Sequence, residues 1–199
     1  MFAASSEGKT EGLCEGTLVL TKFGWRAVET LQADDEVMTF DHGYRPLRRI
    51  ARSLSLAGSA DCPDHGQLVA VPAQALGNRD AIVLQPNQYV MIESDMAEDA
   101  FGDPFVLVPA HALTGYRGIA RADTAQRLSV YTLQFADDEV IYVNGAGLVH
   151  CGGTSTAGLE QLIGGNLPSY ISLPVEAARA VIDALKEGDE TGQEDDAAL

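Results

Sequence analysis

The sequence predicts a mostly β protein: a compact barrel- or sandwich-like body with a short helical extension at the C-terminal end. Three observations predict it. Short apolar runs, many of them alternating with polar residues, recur through about residue 153. Twenty glycines punctuate those runs. Beyond them the apolar spacing changes to one that suits a helix.

Taken in order, GTLVLTKFGWRAVETL reads as strand, turn at Phe23-Gly24, strand. EVMTF follows, then a turn at Asp41-His42-Gly43 and a basic strand from Arg45 to Arg52. QLVAVP, AIVLQ, YVMIES, FVLVPA, RLSVYTLQF, EVIYVNG and GLVHCGG supply the later strands. TAGLEQLIGG suits a short helix ended by Gly164-Gly165. Ser172 suits an N-cap and Pro174 a first turn, starting a helix from Leu173 to Lys186. Its apolar residues Val175, Ala178, Val181, Ile182 and Leu185 share one face. Gly188 ends this helix, and DETGQEDDAAL reads as a disordered acidic tail.

Composition narrows the function. The 199 residues carry 29 acidic and 13 basic side chains, a formal charge of -16. That balance argues against a nucleic-acid partner, whose phosphates bind mainly clustered Lys and Arg. The cluster Arg45, Arg48, Arg49 and Arg52 reads as a solvated strand face. A 46% hydrophobic content supports a core and excludes global disorder. No apolar run approaches the roughly 18 residues of a membrane span, and MFAASSEGKTEG has no secretory pattern. The expectation is therefore a cytoplasmic protein without a membrane span.

Cys14, Cys62 and Cys151 are too dispersed for a disulfide framework or a structural zinc site. Cys62 and His65 have ligand-like spacing, but two donors are too few. No cofactor and no metal are expected.

The order of motifs is more specific. GLCEGTLVLTKFGWRAVETLQADDEVMTFD contains Cys14, Gly16-Thr17, and then Glu29, Leu31, Asp35 and Val37 in the spacing E-x-L-x-x-x-D-x-V. It resembles the opening block of the hedgehog/intein (Hint) self-processing domains, and DHGYRPLRRIARS resembles the hairpin that follows in bacterial stand-alone members. VLVPAHAL, residues 106 to 113, resembles a middle segment of those members. VYTLQFADDEVIYVNGAGLVHC, with Asn144-Gly145 and His150-Cys151, resembles the closing block. The resemblance covers about two thirds of the chain and implies a compact Hint-like β-fold.

It also implies an intramolecular reaction in which the chain's own N-terminal flank is the substrate. The Cys14 thiol attacks the Leu13 carbonyl carbon, and the peptide bond becomes a thioester, an N-S acyl shift followed by autoproteolysis without turnover. A thiolate suits the step as a strong nucleophile and acceptable leaving group. In the family, a His in a T/S-x-x-H motif serves the scissile amide. Here LQPNQYVMI is the matching segment, with Gln85 for the Ser or Thr and Gln88 for the His. An amide donates hydrogen bonds but delivers no proton near neutral pH. Asp138 or Glu139 stands where a closing-block His is usual, and no Asn precedes Cys151. Release of a C-terminal segment is therefore not expected.

The candidate catalytic residues are thus Cys14, Gln88, Asp138, His150 and Cys151. Other readings stand beside them. Cys14 and Cys151 suit buried small residues, and His150 suits a strand end. His111 suits a structural role, His42 a turn, and Asp34-Asp35 and Asp137-Asp138 solvated turns. Two functions follow: slow or degenerate self-processing at Leu13-Cys14, or a catalytically inactive Hint-fold module that binds or supports a protein partner. The expected organisation is a flank at 1–13, a Hint-like domain at 14–151, a helical extension at 152–187 that docks on the β-body, and the acidic tail at 188–199.

Overall fold

A computed structural model of the protein describes residues 11–55, 67–122, 128–154 and 170–196. Within these residues the first half forms β1 (Leu13–Cys14), β2 (Leu18–Thr21), β3 (Gly24–Ala27), β4 (Glu36–Thr39), β5 (Gly43–Pro46) and β6 (Arg49–Ser55). Then come β7 (Val69–Val71), β8 (Ile82–Leu84), β9 (Tyr89–Glu93), helix α1 (Asp95–Phe101) and β10 (Phe105–Pro109). The rest are β11 (Ala120–Arg121), β12 (Leu128–Gln134), β13 (Glu139–Val143), β14 (Gly147–Cys151), β15 (Ile171–Ser172) and helix α2 (Val175–Asp196). The Cys62/His65 pair and TAGLEQLIGG lie outside the described residues.

The mostly β body is built from two sheets. One runs β11-β7-β8-β1-β12-β6, and the other runs β15-β10-β9-β14-β13-β2-β4-β5, with β3 on β2. Alternation explains the burial. In β14 (GLVHC), Gly147, Val149 and Cys151 are buried while Leu148 and His150 are less so. The largest core cluster runs from Leu13 and Val19 through Leu47, Phe135 and Ile141 to Ile182.

Three turns position the two ends of the body. Lys22 and Phe23 join β2 to β3, with Thr21 opposite Gly24 at a φ of 94°. The predicted turn at Asp41-His42-Gly43 joins β4 to β5, with Thr39 opposite Gly43. Asn144 and Gly145 turn β13 into β14, with φ of 45° and 113°. A Cβ at Gly145 would lie 2.7 Å from the Arg79 backbone nitrogen, so only glycine fits there. The Asn144 side chain accepts from the Leu18 N–H at 2.6 Å and donates to the Ala81 carbonyl at 3.0 Å, tying the turn to its neighbours.

The basic strand predicted from Arg45 to Arg52 is two strands in different sheets. Leu47, fully buried at the break, is a plug that the surrounding arginines hide in the sequence. Pro46 has no N–H to continue the ladder. Arg45 is not simply solvated, since its Nε lies 3.4 Å from buried Glu139.

The C-terminal segment is docked. β15 pairs in parallel with β10, Val106 opposite Ile171, and covers that edge. On α2, Ala178, Val181 and Ile182 are buried, and Leu185 packs against the same core. Two boundaries differ from the sequence reading. Ser172 belongs to β15, so the helix begins at Val175, with the Ala178 N–H bonded to the Pro174 carbonyl. The helix also continues past Gly188 to Asp196, where a disordered tail is expected from the sequence. Arg117 holds Asp189 through two bonds of 2.6 and 2.7 Å, an anchor just beyond the glycine. An interior glycine costs only about 1 kcal/mol relative to alanine, which such an anchor offsets. No helix among the described residues is long and apolar enough to cross a membrane.

Candidate functional site

β1 lies inside the first sheet. Leu13 pairs with Tyr131 on one side and Leu84 on the other, and Cys14 pairs with Val130. The peptide joining Leu13 to Cys14 is therefore held in a ladder between two buried residues. The Cys14 carbonyl accepts from the Thr17 hydroxyl at 2.7 Å and the Thr17 N–H at 3.1 Å. The side chain of Cys14 packs with Leu68 and Val130. Burial pushes its thiol up to about 11, and the Gln85 amide beside it acts weakly in the opposite direction. Nε2 of Gln85 is buried without a hydrogen-bond partner of good geometry. Its effect on the thiol is smaller than that of desolvation.

Gln88 holds a different peptide. Its Oε1 accepts from the Gly12 N–H at 2.9 Å, and its Nε2 donates to the His150 carbonyl at 2.7 Å and the Tyr89 carbonyl at 3.1 Å. One neutral side chain, 4% exposed, therefore bridges the entering strand to β14. Gly12 has a φ of 130°, and a Cβ there would lie 2.6 Å from Val130 Cγ1. Both the conformation and the space require glycine.

A cavity of about 60 Å³ opens beside this bridge, lined by Glu11, Gly12, Gln88, His150 and Cys151 among others. Burial pushes the His150 imidazole below its ordinary value, while Asp138 and Glu11 pull it upward. Asp138 Oδ1 is 4.0 Å from His150 Nε2 and accepts from the Gly153 N–H at 2.7 Å. Burial, reinforced by Glu11 and Glu139, raises the Cys151 thiol to about 12. Neither described cysteine has an appreciable thiolate fraction at neutral pH.

The structure therefore brings Gln88, His150 and Cys151 to one cavity, with Asp138 at its margin. Cys14 does not line that cavity. Sequence reading passed over Gly12 and Glu11. Period-two alternation places Gly12 and Cys14 on one face of an extended chain, but a backbone N–H donor leaves no mark in a sequence. His42 is in its predicted turn, yet it also faces the buried Glu139 carboxylate, Nδ1 to Oε2 at 2.9 Å. His111 Nδ1 meets the Pro86 carbonyl at 2.8 Å, a contact within the fold. Among the described residues no group of three or more His, Cys, Asp or Glu could hold a metal ion.

Two β-sheets whose opening and closing strands meet at one residue bring the two ends of the body together. The chain matches the Hint domain family over residues 12–148 and belongs to that family. Among solved structures it is similar to the intein-like domain from Clostridium thermocellum, at 17% identity and a TM-score of 0.49, covering 70% of this chain and 98% of that one. It is similar also to a splice-inactive variant of the AceL NrdHF class 3 split intein, at 13% identity and a TM-score of 0.48, covering 73% and 99%. The gp41-1 intein follows at 11% identity and a TM-score of 0.43, covering 70% and 98%. No curated protein matches the chain.

Proposed function

We propose that this Hint domain keeps the fold that brings its two ends together while its acyl-shift chemistry is disarmed. It retains the N-terminal flank and serves as a binding or structural module. One observation carries the reading: the amide held by Gln88 belongs to Gly12, a residue with no nucleophile.

The chemistry of Cys14 supports it. With its thiol raised to about 11, the thiolate fraction at pH 7 is about one in ten thousand. Gln88 supplies no proton to a departing amide, and general acid catalysis typically contributes about 10²–10⁴-fold. The Leu13–Cys14 peptide is also fixed by the pairing of Leu13 with β8 and β12 and of Cys14 with β12. In this reading Asp138, His150 and Cys151 are remnants of a closing block, held by packing and hydrogen bonds. Residues 14–151 form the module, and the segment from 170 onward braces it.

A second reading, slow cleavage at Leu13-Cys14, draws on the unpartnered Gln85 amide beside Cys14. A donor reaching the sulfur would raise the thiolate fraction. Long incubation of the full chain with dithiothreitol, followed by intact-mass measurement, separates the two. The disarmed module stays at full mass, whereas the cleaving one yields a fragment beginning at Cys14.

A further inference from the structure

We propose that a pocket on the second sheet, walled by aromatic rings and rimmed by carboxylates, binds a small methylated ammonium cation. The rings of Phe40, Phe105 and Tyr170 line it, with the buried Met91 beside them. Asp41, Asp103 and His42 complete the lining. The pocket encloses about 350 Å³, at the lower end of the range of about 300–1,000 Å³ for small-molecule sites. Its rings pack with Met91, Leu107 and Val140 in a cluster separate from the largest core.

Distant parts of the chain converge to make the pocket. Phe40, Asp41 and His42 lead from β4 into the turn before β5, and the Phe40 N–H donates to the Val140 carbonyl at 2.8 Å. Met91 on β9 lies opposite Leu107, Phe105 begins β10, and Tyr170 immediately precedes β15. Phe40 and Phe105 meet at 65° with ring centroids 5.1 Å apart, so they form a corner instead of a flat wall. The Tyr170 ring is braced edge-on against His150, 6.1 Å away. Each carboxylate is tethered to one of these ring residues. The Tyr170 hydroxyl donates to Asp41 Oδ2 at 2.8 Å, and the Phe105 N–H donates to Asp103 Oδ1 at 2.9 Å. Asp41 and Asp103 are exposed, so they stand at the mouth, while the half-buried rings form the walls.

Both donors to the carboxylates are neutral, and among the described residues neither Asp41 nor Asp103 is in an ion pair. Behind the wall, the buried Glu139 meets His42 at 2.9 Å and Arg45 at 3.4 Å. Three carboxylates against one guanidinium leave two negative charges when His42 is neutral, and one when it is protonated. Covering an apolar sheet face calls for rings, but not for unpaired carboxylates at their margin. A cation with methyl groups on nitrogen uses both: ring faces attract its charge, and its methyl groups pack on the rings and on Met91. A metal ion suits the site less, since among the described residues no group of three or more His, Cys, Asp or Glu could hold one. The pocket shares no lining residue with the Gln88 cavity, so the inference stands or falls independently of the proposed function.

The test titrates the full chain with tetramethylammonium chloride and with choline chloride, holding ionic strength constant with potassium chloride. Thermal unfolding and the ring resonances of Phe40, Phe105 and Tyr170 are the readouts. Saturable stabilisation and shifts of those resonances are expected with both organic cations. Phe105→Leu should weaken the apparent affinity about tenfold, as expected for loss of one cation–ring contact. Asp41→Asn, which removes a more exposed charge, should weaken it about threefold. Phe23→Leu, at an exposed turn outside the pocket, should leave it unchanged. The neutral carbon isostere of choline, with tert-butyl in place of trimethylammonium, should bind far more weakly. A response no larger than that to potassium overturns the proposal. So does equal binding of the neutral isostere, or an unchanged response in the folded double variant D41N/D103N.

Discussion

The two strands that Gln88 joins are built on opposite principles. On the entering side, Leu13 and Cys14 are 1% and 2% exposed, paired along both edges or packed against Leu68 and Val130. On the leaving side, His150 and Cys151 share a small cavity with Glu11, and Asp138 stands at its margin. The thiol best placed in sequence to attack a neighbouring peptide is therefore on the entering side, and the groups able to move a proton are on the leaving side. A neutral amide spans the gap. In the proposed reading, bringing two ends of a chain together is separable from the chemistry done there: hydrogen bonds from an uncharged side chain join the strands, and Gln88 supplies no proton.

Changes at the bridge should produce the largest effects. Gln88→Ala leaves the Gly12 N–H and the His150 carbonyl without their partner, and buried unsatisfied groups cost about 1–3 kcal/mol each. A loss of about 3 kcal/mol is expected in urea unfolding. A loss below roughly 0.5 kcal/mol, the scale of an ordinary surface substitution, would show that the bridge does not hold the two strands. Gly12→Ala should cost about 2 kcal/mol, because its φ is 130° and the new Cβ meets Val130 Cγ1 at 2.6 Å. If the melting temperature of that variant is unchanged, the entering strand is not held as described.

Cys14→Ala tests the entering side. It removes one buried sulfur, so the cost at pH 7 should be about 1 kcal/mol; because the folded thiol is raised to about 11, the wild type should lose more stability than Cys14→Ala as pH rises from 8 towards 11. Equal pH dependence for the two proteins would mean that the thiol is not held above its ordinary value.

The smallest effect belongs to the leaving side. His150 is pushed below its ordinary value mainly by burial, so its neutral form is favoured by folding. Its contribution to stability is complete above the unfolded value of about 6.5 and is lost as pH falls through the lower folded value. The wild type should lose more stability than His150→Gln on acidification from pH 7 towards 5. Equal slopes for the two proteins would place the imidazole outside the buried cluster.

Much of this architecture was legible in the sequence because it follows local rules. Alternation marked most strands, and the DHG and Asn144-Gly145 turns marked two hairpins. The apolar face of α2 was visible from Ala178, Val181 and Ile182. What escaped depends on partners far apart in the chain. The strand break at Leu47 is set by core packing, and the extension beyond Gly188 by Arg117, 72 residues before Asp189. The site divides in the same way. Side chains at motif positions, Gln88, His150 and Cys151, could be named in advance. That Gln88 meets the Gly12 amide and not the amide of Cys14 depends on register and on a backbone donor, neither of which a residue type announces.

Intact-mass measurement of the full chain, incubated for days at neutral pH with and without dithiothreitol, is the most direct test of the central claim. A disarmed Hint domain gives one species at the mass of all 199 residues under both conditions. Accumulation of a fragment beginning at Cys14, faster with thiol and absent in Cys14→Ala, would contradict it.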